Sequence, residues 1–205
     1  MHEKAVAGVI LAAGCSQRMG RPKLLLPFPG GENVLDVTIR HAQEAALTSL
    51  LLVSGAERQA VEAIAQKRGI PIVYNPAYQQ GQSTSLRCAI DALPPHFAAL
   101  FILGDQPMIR PAVLRQIVDA YRSSDALIVV PCNAEGRRGN PVLFSPSLFD
   151  ALRQVQGDIG GRSVMRAHEA ETRFLTIASD FERYRYAGAI FTVLPSCCAH
   201  RMMLP

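Results

Sequence analysis

The chain has 205 residues, of which 49% are hydrophobic and 19% charged, and its formal net charge is +4 at pH 7. This composition is that of a globular chain of about one domain and excludes a fibrous or intrinsically disordered protein. No apolar run reaches the roughly 18 residues that a membrane-spanning helix needs, and the mild charge without tryptophan gives no support for nucleic-acid binding.

The predicted strands and helices alternate along the first two thirds of the chain. Strands are predicted at residues 5–11, 50–53, 70–74, 98–103 and 126–130. Helices are predicted between them at residues 35–47, 57–68, 83–93 and 111–121. Gly69 is expected to end the second helix in the left-handed conformation. After residue 131 the pattern loosens into two glycine-rich loops, a helix near residues 146–155 and a last strand at residues 173–177.

This alternation predicts the fold class. Short strands followed by helices of 11 to 13 residues favour a mostly parallel sheet with helices on both faces, which is a three-layer α/β/α arrangement. Ligands of such sheets bind at the carboxyl ends of the strands. Functional residues are therefore expected directly after each strand.

The five cysteines are an odd number and show no metal-binding spacing, and Cys197 and Cys198 are adjacent. Free thiols in a reducing cytoplasm are the expected state. The apolar run at residues 5–14 imitates the core of a signal peptide, but the residues that follow it have functional rather than cleavage-site character. We expect a cytoplasmic protein.

The loop after the first strand combines small residues with three cations, Arg18, Arg21 and Lys23. Small residues let the backbone approach a ligand, and successive backbone N–H groups bind anions. The spacing of glycine and lysine is not that of a Walker A loop, and no G-x-G-x-x-G string is present. The loop is either a solvated basic surface loop or a cradle for a triphosphate, and its place after a buried strand favours the cradle.

Three further strings carry polar groups, and two of them follow predicted strands. The string N-P-A-Y-Q-Q-G-Q-S-T-S-L-R begins at residue 75, and its Ser83 is predicted to cap the helix that follows. Asp105 comes after the strand at residues 98–103 and suits Mg²⁺, which takes one or two carboxylates plus phosphate oxygens. The third string is G-D-I-G-G-R at residues 157–162, and the alternative interpretation of this string is a mobile surface turn.

Residues 11–27, L-A-A-G-x-S-x-R-M-G-x-x-K-L-L-L-P, closely resemble the signature of nucleotidyltransferases of the molybdenum cofactor branch, and the MocA-like molybdopterin cytidylyltransferases are nearest. The three strings above resemble segments of the same family, so the resemblance covers about residues 6–175. Related guanylyltransferases read L-A-G-G at the start and have Asp before the lysine, where this chain has Ala13 and Pro22. The resemblance implies a Rossmann-like nucleotidyltransferase fold of GT-A type with a mostly parallel mixed sheet.

The resemblance also implies roles for individual residues. Arg18 and Lys23 are expected on the phosphates, and Asp105 is expected to bind Mg²⁺, the cofactor. Asn140, Asp158 and Arg162 are expected on the acceptor side, although relatives have His rather than Asn140. The nucleotide-binding set is Leu11, Ala12, Ala13, Gly14, Ser16, Gly20, Gly81, Gln82 and Ser85.

The implied reaction transfers CMP from CTP to molybdopterin and releases pyrophosphate. A guanylyltransferase, a sugar-phosphate nucleotidyltransferase and a non-catalytic nucleotide-binding chaperone for a molybdoenzyme are the alternatives. The expected partners are CTP and molybdopterin, with a molybdoenzyme or its chaperone as a further one, and neither nucleic acid nor membrane.

The resemblance ends where relatives continue with an acidic stretch whose first aspartate helps to hold the metal. Here Asp180 is the nearest carboxylate, and its context differs. A divergent tail or a shifted reading frame explains the difference. We therefore predict an NTP transferase domain at residues 1–178 and a divergent tail at residues 179–205.

Overall fold

The computed structural model describes residues 4–15 and 21–177. The strands are β1 Val6–Ala12, β2 Ser49–Ser54, β3 Ile72–Tyr74, β4 Ala98–Leu103, β5 Ile128–Cys132, β6 Val142–Phe144 and β7 Thr172–Thr176. The helices are α1 Val34–Gln43, α2 Arg58–Lys67, α3 Gln82–Ala92, α4 Pro111–Arg122, α5 Phe149–Arg153 and α6 Arg162–Ala167. The predicted tail, with Asp180, lies outside the described residues.

The seven strands form one sheet in the order β3-β2-β1-β4-β6-β5-β7. Every neighbouring pair is parallel except the two that involve β6, which runs antiparallel to both β4 and β5. The predicted mostly parallel mixed sheet is therefore confirmed. Among the described residues, no helix is both long and apolar enough to cross a bilayer.

Two hydrophobic clusters lie on opposite faces of the sheet and complete three layers. Because side chains alternate along a strand, β1 contributes to both clusters. Val6 and Ile10 face α1, α2 and α4, whereas Val9 faces α3, α5 and α6. All three side chains are fully buried, so β1 is covered by the core on both of its faces.

The predicted strands and helices agree best with the structure where the periodic pattern is long. The predicted end of the second helix is confirmed, since Gly69 has φ +67°. The first helix was predicted to reach residue 47 but ends at Gln43, because Ala46 adopts φ 56° and turns the chain toward β2. Strand β6 and helix α6 were missed, because three and six residues are too few to show a period.

The strand register determines which edge of the sheet can bind a ligand. Ala12 pairs with Ser54 of β2, and Leu11 pairs with Leu103 of β4, so three parallel strands end together at one edge. The N–H of Gly104 donates to the carbonyl of Leu11 at 3.0 Å and continues this alignment beyond β4. The segments after β1 and β4 therefore leave the sheet side by side.

An ion-pair cluster anchors the chain just after the predicted phosphate loop. Glu32 accepts from Arg68 at 2.6 Å and from Arg40 at 3.1 Å, and Arg68 also contacts Asp36, whose side chain is buried. Hydrogen bonding from Arg40 holds the pKa of Glu32 below its ordinary value. The cluster ties the turn before α1 to the end of α2.

Replacing Arg68 tests this cluster. Arg68→Ala leaves Asp36 buried without its cation, and we expect the free energy of unfolding to fall by about 1–3 kcal/mol in urea titrations at neutral pH. The loss should shrink as the pH falls through the carboxyl range. The pKa of Glu32 is lowered in the folded state, so ionised Glu32 stabilises the fold, and this contribution is lost when Glu32 is protonated.

The matched control is Lys67→Ala. Lys67 is the neighbouring cation on α2 and is exposed, so its loss should change stability by less than about 0.5 kcal/mol. Equal losses in the two variants would contradict a stabilising role for the cluster.

Candidate functional site

A cavity of about 410 Å³ opens at the carboxyl edge of the sheet. It is called the larger cavity below. Leu11, Ala13, Gly14 and Cys15 line it from the end of β1, Lys23 and Leu24 from the following turn, and Leu103 and Asp105 from the end of β4. The opposite wall consists of Tyr78, Gln79, Gly81, Gln82, Ser85 and Asp158.

Most of the predicted nucleotide site meets in this cavity. Lys23, Asp105 and the segment 81–85 are far apart in sequence, yet the structure brings them to one place. Ala12 does not line the cavity, since its side chain is 1% exposed and belongs to the core. Arg18, Ser16 and Gly20 lie outside the described residues.

Leu24 packs the turn that contains Lys23 against the backbone that leads to Asp105. Lys23 begins a short 3-10 turn at Lys23–Leu25, and the buried Leu24 within it packs toward Gly104. A Cβ at Gly104 would lie 3.2 Å from Leu24 and 3.0 Å from the carbonyl oxygen of Leu11. The close packing around Gly104 thus sets where Lys23 and Asp105 lie along the cavity wall.

Helix α1 holds the segment of Asp105 at both ends. Thr38 Oγ1 lies 3.0 Å from the carbonyl of Val34 and 3.1 Å from that of Gly104, so its one proton is shared between the two acceptors. Three residues later on α1, His41 Nδ1 lies 3.0 Å from the carbonyl of Ile109. Burial lowers the pKa of His41. Because a carbonyl oxygen only accepts, Nδ1 is the ring nitrogen that donates in this contact. Half-buried Asp105 therefore sits in a loop with fixed ends.

The predicted cap of the third helix is wrong. Helix α3 begins at Gln82 with Gly81 as its cap residue. Ser83 lies inside the first turn and is fully buried, and its hydroxyl has no hydrogen-bond partner among the residues that the structure describes. The N–H of Gln82 instead donates to Asp158 Oδ1 at 3.1 Å. A carboxylate 76 residues away replaces the local side-chain cap, which no local pattern predicts.

Asn75 fastens the segment between β3 and α3. Its buried side chain donates to Thr84 Oγ1 at 2.8 Å and to Ser85 Oγ at 3.0 Å, while its Oδ1 accepts from the N–H of Ala77. Because Ser85 Oγ accepts from Asn75, its own proton is directed to other acceptors. Ser85 thus presents a positioned hydroxyl on the wall of the larger cavity.

A second cavity, of about 260 Å³, adjoins the first and is called the smaller cavity. Leu11, Gln82 and Leu103 line both cavities. Arg138, Arg162 and Arg166 lie around the smaller one, and its apolar wall is formed by Leu86, Phe101, Val130, Val142, Phe144, Ile159 and Met165. Among the described residues no acidic side chain lines it, so the field in the smaller cavity is positive.

The three residues predicted on the acceptor side separate between the cavities. Asn140 and Arg162 line the smaller cavity, whereas Asp158 lines the larger one. Arg166 was missed. It lies four residues after Arg162 on α6 and so shares a helix face with it, but that spacing is informative only once α6 is recognised.

Arg138, which lines the smaller cavity, is held in place by two contacts. It pairs with Glu169 at 2.5 Å, and its guanidinium stacks 4.4 Å from the ring centroid of Phe174. Arg162 and Arg166 are exposed and form no ion pair within residues 4–15 and 21–177. The two arginines of α6 are thus the cations of the smaller cavity that remain available to an anion.

Ala13 fills the gap between the ends of β1 and β2. Its side chain is 4% exposed, and a Cβ built on Gly55 would lie 2.6 Å from the Cβ of Ala13. The methyl group therefore packs against Gly55, while Ala13 is also a wall residue of the larger cavity.

The described residues contain no group of three or more His, Cys, Asp or Glu side chains arranged to hold a metal. Asp105 and Asp158 are the carboxylates of the larger cavity. Asp158 accepts from the N–H of Gln82. A single carboxylate such as that of Asp105 suits Mg²⁺, a hard cation that binds through one or two carboxylates and takes its remaining ligands from substrate phosphates and water.

Comparison with known proteins agrees with this arrangement. The model of the MobA-like NTP transferase domain matches residues 8–172. Molybdenum cofactor cytidylyltransferase from Escherichia coli K12 is 31% identical over 151 residues, which are 73% of this chain and 76% of that protein. Nicotine blue oxidoreductase from Paenarthrobacter nicotinovorans is 33% identical over 171 residues, which are 78% of this chain and 81% of that protein.

Solved structures give the same fold. The crystal structure of Rv0371c from Mycobacterium tuberculosis H37Rv is 32% identical, with a TM-score of 0.76 over 87% of this chain and 90% of that one. A complex of Rv0371c with manganese is 29% identical, with a TM-score of 0.73 over 91% of this chain and 100% of that one.

Proposed function

The chain belongs to the family of MobA-like NTP transferase domains, and from that premise we propose that it transfers CMP from CTP to the terminal phosphate of molybdopterin and releases pyrophosphate. The observation that supports this most strongly is the meeting of Lys23, Asp105 and the segment 81–85 in one cavity next to a basic one. The 31% identity to a molybdenum cofactor cytidylyltransferase supports the choice of CTP and acceptor.

The proposed chemistry needs no general base. An oxygen of the acceptor phosphate is already an anion at neutral pH, and it attacks the α-phosphorus of CTP. One P–O bond forms, and the bond to the pyrophosphate oxygen breaks. Catalysis is then positioning and neutralisation of phosphate charge, as in other phosphoryl transfers. Lys23 supplies a cation on the wall of the larger cavity, and we assign Arg18 to the same phosphates.

Asp105 is the residue that would hold Mg²⁺, since one carboxylate together with substrate phosphates fits that ion. When bound, the cation neutralises phosphate oxygens and favours departure of pyrophosphate. Thr38 and His41 hold the backbone on either side of Asp105, so the carboxylate is presented without a large loss of conformational freedom. The manganese complex of Rv0371c supports divalent-metal use in this family.

The smaller cavity is the proposed acceptor site. Its apolar wall suits a ring system, and Arg162 and Arg166 suit a phosphate, because guanidinium groups bind phosphate in a bidentate manner. Asn140 offers a hydrogen-bonding amide that does not titrate. Molybdopterin combines a pterin ring with a phosphate and so fits both features.

The alternatives differ in what they release. A guanylyltransferase or sugar-phosphate nucleotidyltransferase would release pyrophosphate from another nucleotide or with another acceptor, and a nucleotide-binding chaperone for a molybdoenzyme would release none. The relative named as an oxidoreductase shows that similarity alone does not assign chemistry within this fold. We expect the reaction to occur in the cytoplasm.

The decisive experiment has two parts. A thermal-shift panel of nucleoside triphosphates with Mg²⁺ identifies the bound nucleotide, because a specific ligand stabilises the folded state by mass action. Pyrophosphate release is then measured with CTP and molybdopterin. CTP binding with release supports the proposal, binding without release favours the chaperone, and no binding of any triphosphate overturns it.

Lys23→Ala is expected to lower turnover by about two to three orders of magnitude, the usual scale for removing one preorganised charge stabiliser. The melting temperature should stay near that of the wild type, because Lys23 is half-exposed in the cavity wall. Pyrophosphate release under steady-state conditions measures the effect, with Lys67→Ala as the control cation outside both cavities. Turnover within about threefold of the wild type would remove Lys23 from the mechanism.

Asp105→Asn is expected to abolish Mg²⁺-dependent activity, because a neutral amide is a weak ligand for a hard cation. Activity is measured across a Mg²⁺ titration, with Asp119→Asn on the exposed face of α4 as the matched control. Asp180→Asn is the companion variant. If both Asp105→Asn and Asp180→Asn are inactive, the tail supplies a second carboxylate, and an active Asp105→Asn would contradict the metal assignment.

CTP is expected to exceed GTP by at least about tenfold in kcat/KM, because exclusion of a second ring outweighs the roughly 1–3 kcal/mol of a single methylene. Ala13 lines the larger cavity, and we infer that a Cβ at this position leaves less room for a purine. Ala13→Gly should therefore relax the preference by opening space. Comparable kcat/KM values for both nucleotides in the wild type would show that this wall does not select the base.

A further inference from the structure

The loop at residues 157–161 joins the two cavities. Asp158 lines the larger cavity, whereas Ile159, Gly160 and Gly161 line the smaller one. Gln82, at the start of α3, lines both. The contact between this loop and the first turn of α3 therefore lies where the two proposed substrates would meet.

The contact is close at the backbone. Gly81 has φ +105°, and a Cβ there would lie 2.6 Å from the carbonyl carbon of Gly157 and 2.9 Å from Asp158 Oδ1. Only a residue without a side chain fits this approach and this conformation. The cap position of α3 thus fits closely against the loop.

Asp158 supplies the hydrogen bond that this helix start lacks locally. Gly81 has no side chain to cap α3, and Asp158 Oδ1 accepts from the N–H of Gln82 at 3.1 Å. A carboxylate at a helix N-terminus is favoured both by the open N–H groups and by the helix dipole. The bond orients Gly81, Gln82 and, one turn later, Ser85.

The other end of the loop is held independently. A Cβ at Gly161 would lie 2.6 Å from the ring of Phe144 on β6, so the loop rests against the sheet there. Gly160 in turn lies against the side chain of Gln82, whose Oε1 would be 3.1 Å from an added Cβ. The loop is therefore in contact with both α3 and the sheet, and Asp158 forms its hydrogen bond to α3.

We propose that Asp158 is a positioning residue for the nucleotide, acting through the N–H of Gln82, and that it is not a ligand of the acceptor. This inference rests on the proposed function, since it takes the larger cavity as the nucleotide site. Loss of the bond releases the first turn of α3, which weakens nucleotide binding before any acceptor is present. It also loosens the loop that lines the smaller cavity, so binding in the two cavities is coupled.

The test is the dissociation constant of CTP with Mg²⁺, measured by calorimetry without acceptor. Asp158→Ala should weaken binding by about tenfold, the effect of losing one charge-assisted hydrogen bond. Asp158→Asn should be milder, at about threefold, because the amide oxygen still accepts from Gln82. The Gln82 amide should also exchange with solvent faster in Asp158→Ala than in the wild type.

Each other role predicts a different pattern. An acceptor ligand would leave CTP binding unchanged and raise only the KM for molybdopterin. A metal ligand would make Asp158→Asn as damaging as Asp158→Ala, because an amide is a weak ligand for Mg²⁺. Either pattern overturns the inference. Asp150→Ala is the matched control, since it removes an aspartate whose side chain is 95% exposed on α5.

The inference and the proposed function fail in distinguishable ways. If the wild type binds no triphosphate, the proposed function is wrong. If the wild type binds CTP and Asp158→Ala binds it equally well with an unchanged Gln82 exchange rate, only the role of Asp158 is wrong. Should Asp158→Ala not fold, the comparison of Asp158→Asn with the wild type and Asp150→Ala decides the outcome.

Discussion

The parallel alignment of β1 with β2 and β4 is the constraint on which the site depends. β1 is buried on both faces, and burial of each of its larger side chains contributes about 1.5–3 kcal/mol. Shifting its register by one residue would turn those side chains to the wrong face. The ends of the three strands are therefore fixed together, and the small residues after β1 must pass over them. This places the small residues 13–15, rather than long side chains, at the cavity wall.

Charges in this protein serve two separate purposes. Glu32 and Asp36 are paired tightly with Arg40 and Arg68 behind the loop that contains Lys23, where the pairs stabilise the fold. Arg162 and Arg166, in contrast, form no ion pair in the part of the chain that the structure describes, and they line a cavity with an apolar floor. Unpaired cations beside a low-dielectric wall attract an anion more strongly than cations in bulk water.

The two cavities share one wall, which separates the charged residues of the larger cavity from the arginines of the smaller one. Gln82 lies between the larger cavity, with Lys23 and Asp105, and the smaller one, with its arginines. A group transfer between neighbouring ligands requires their reacting atoms to approach to about 3–3.5 Å. The junction at Gln82 therefore governs the geometry of the proposed reaction, and the loop at residues 157–161 shapes it from outside the sheet.

The long periodic elements were predictable because their information is local. The run at residues 5–11 and the helical spacing at residues 111–121 each contain enough residues to show a period, and they correspond to β1 and α4. The placement of Lys23 and Asp105 after strands then followed from the rule that parallel strands end at one edge. Composition and periodicity gave the layers, and the motifs gave the family.

The tertiary structure alone decided the features that depend on distant partners. β6 has three residues and exists because β4 and β5 pair with it on both sides. Ser83 matches the local pattern of a helix cap, but Asp158 takes that role across 76 residues. Arg166 joins Arg162 only once α6 forms. Local patterns report the preference of the backbone, whereas these contacts depend on which segments the packed sheet brings together.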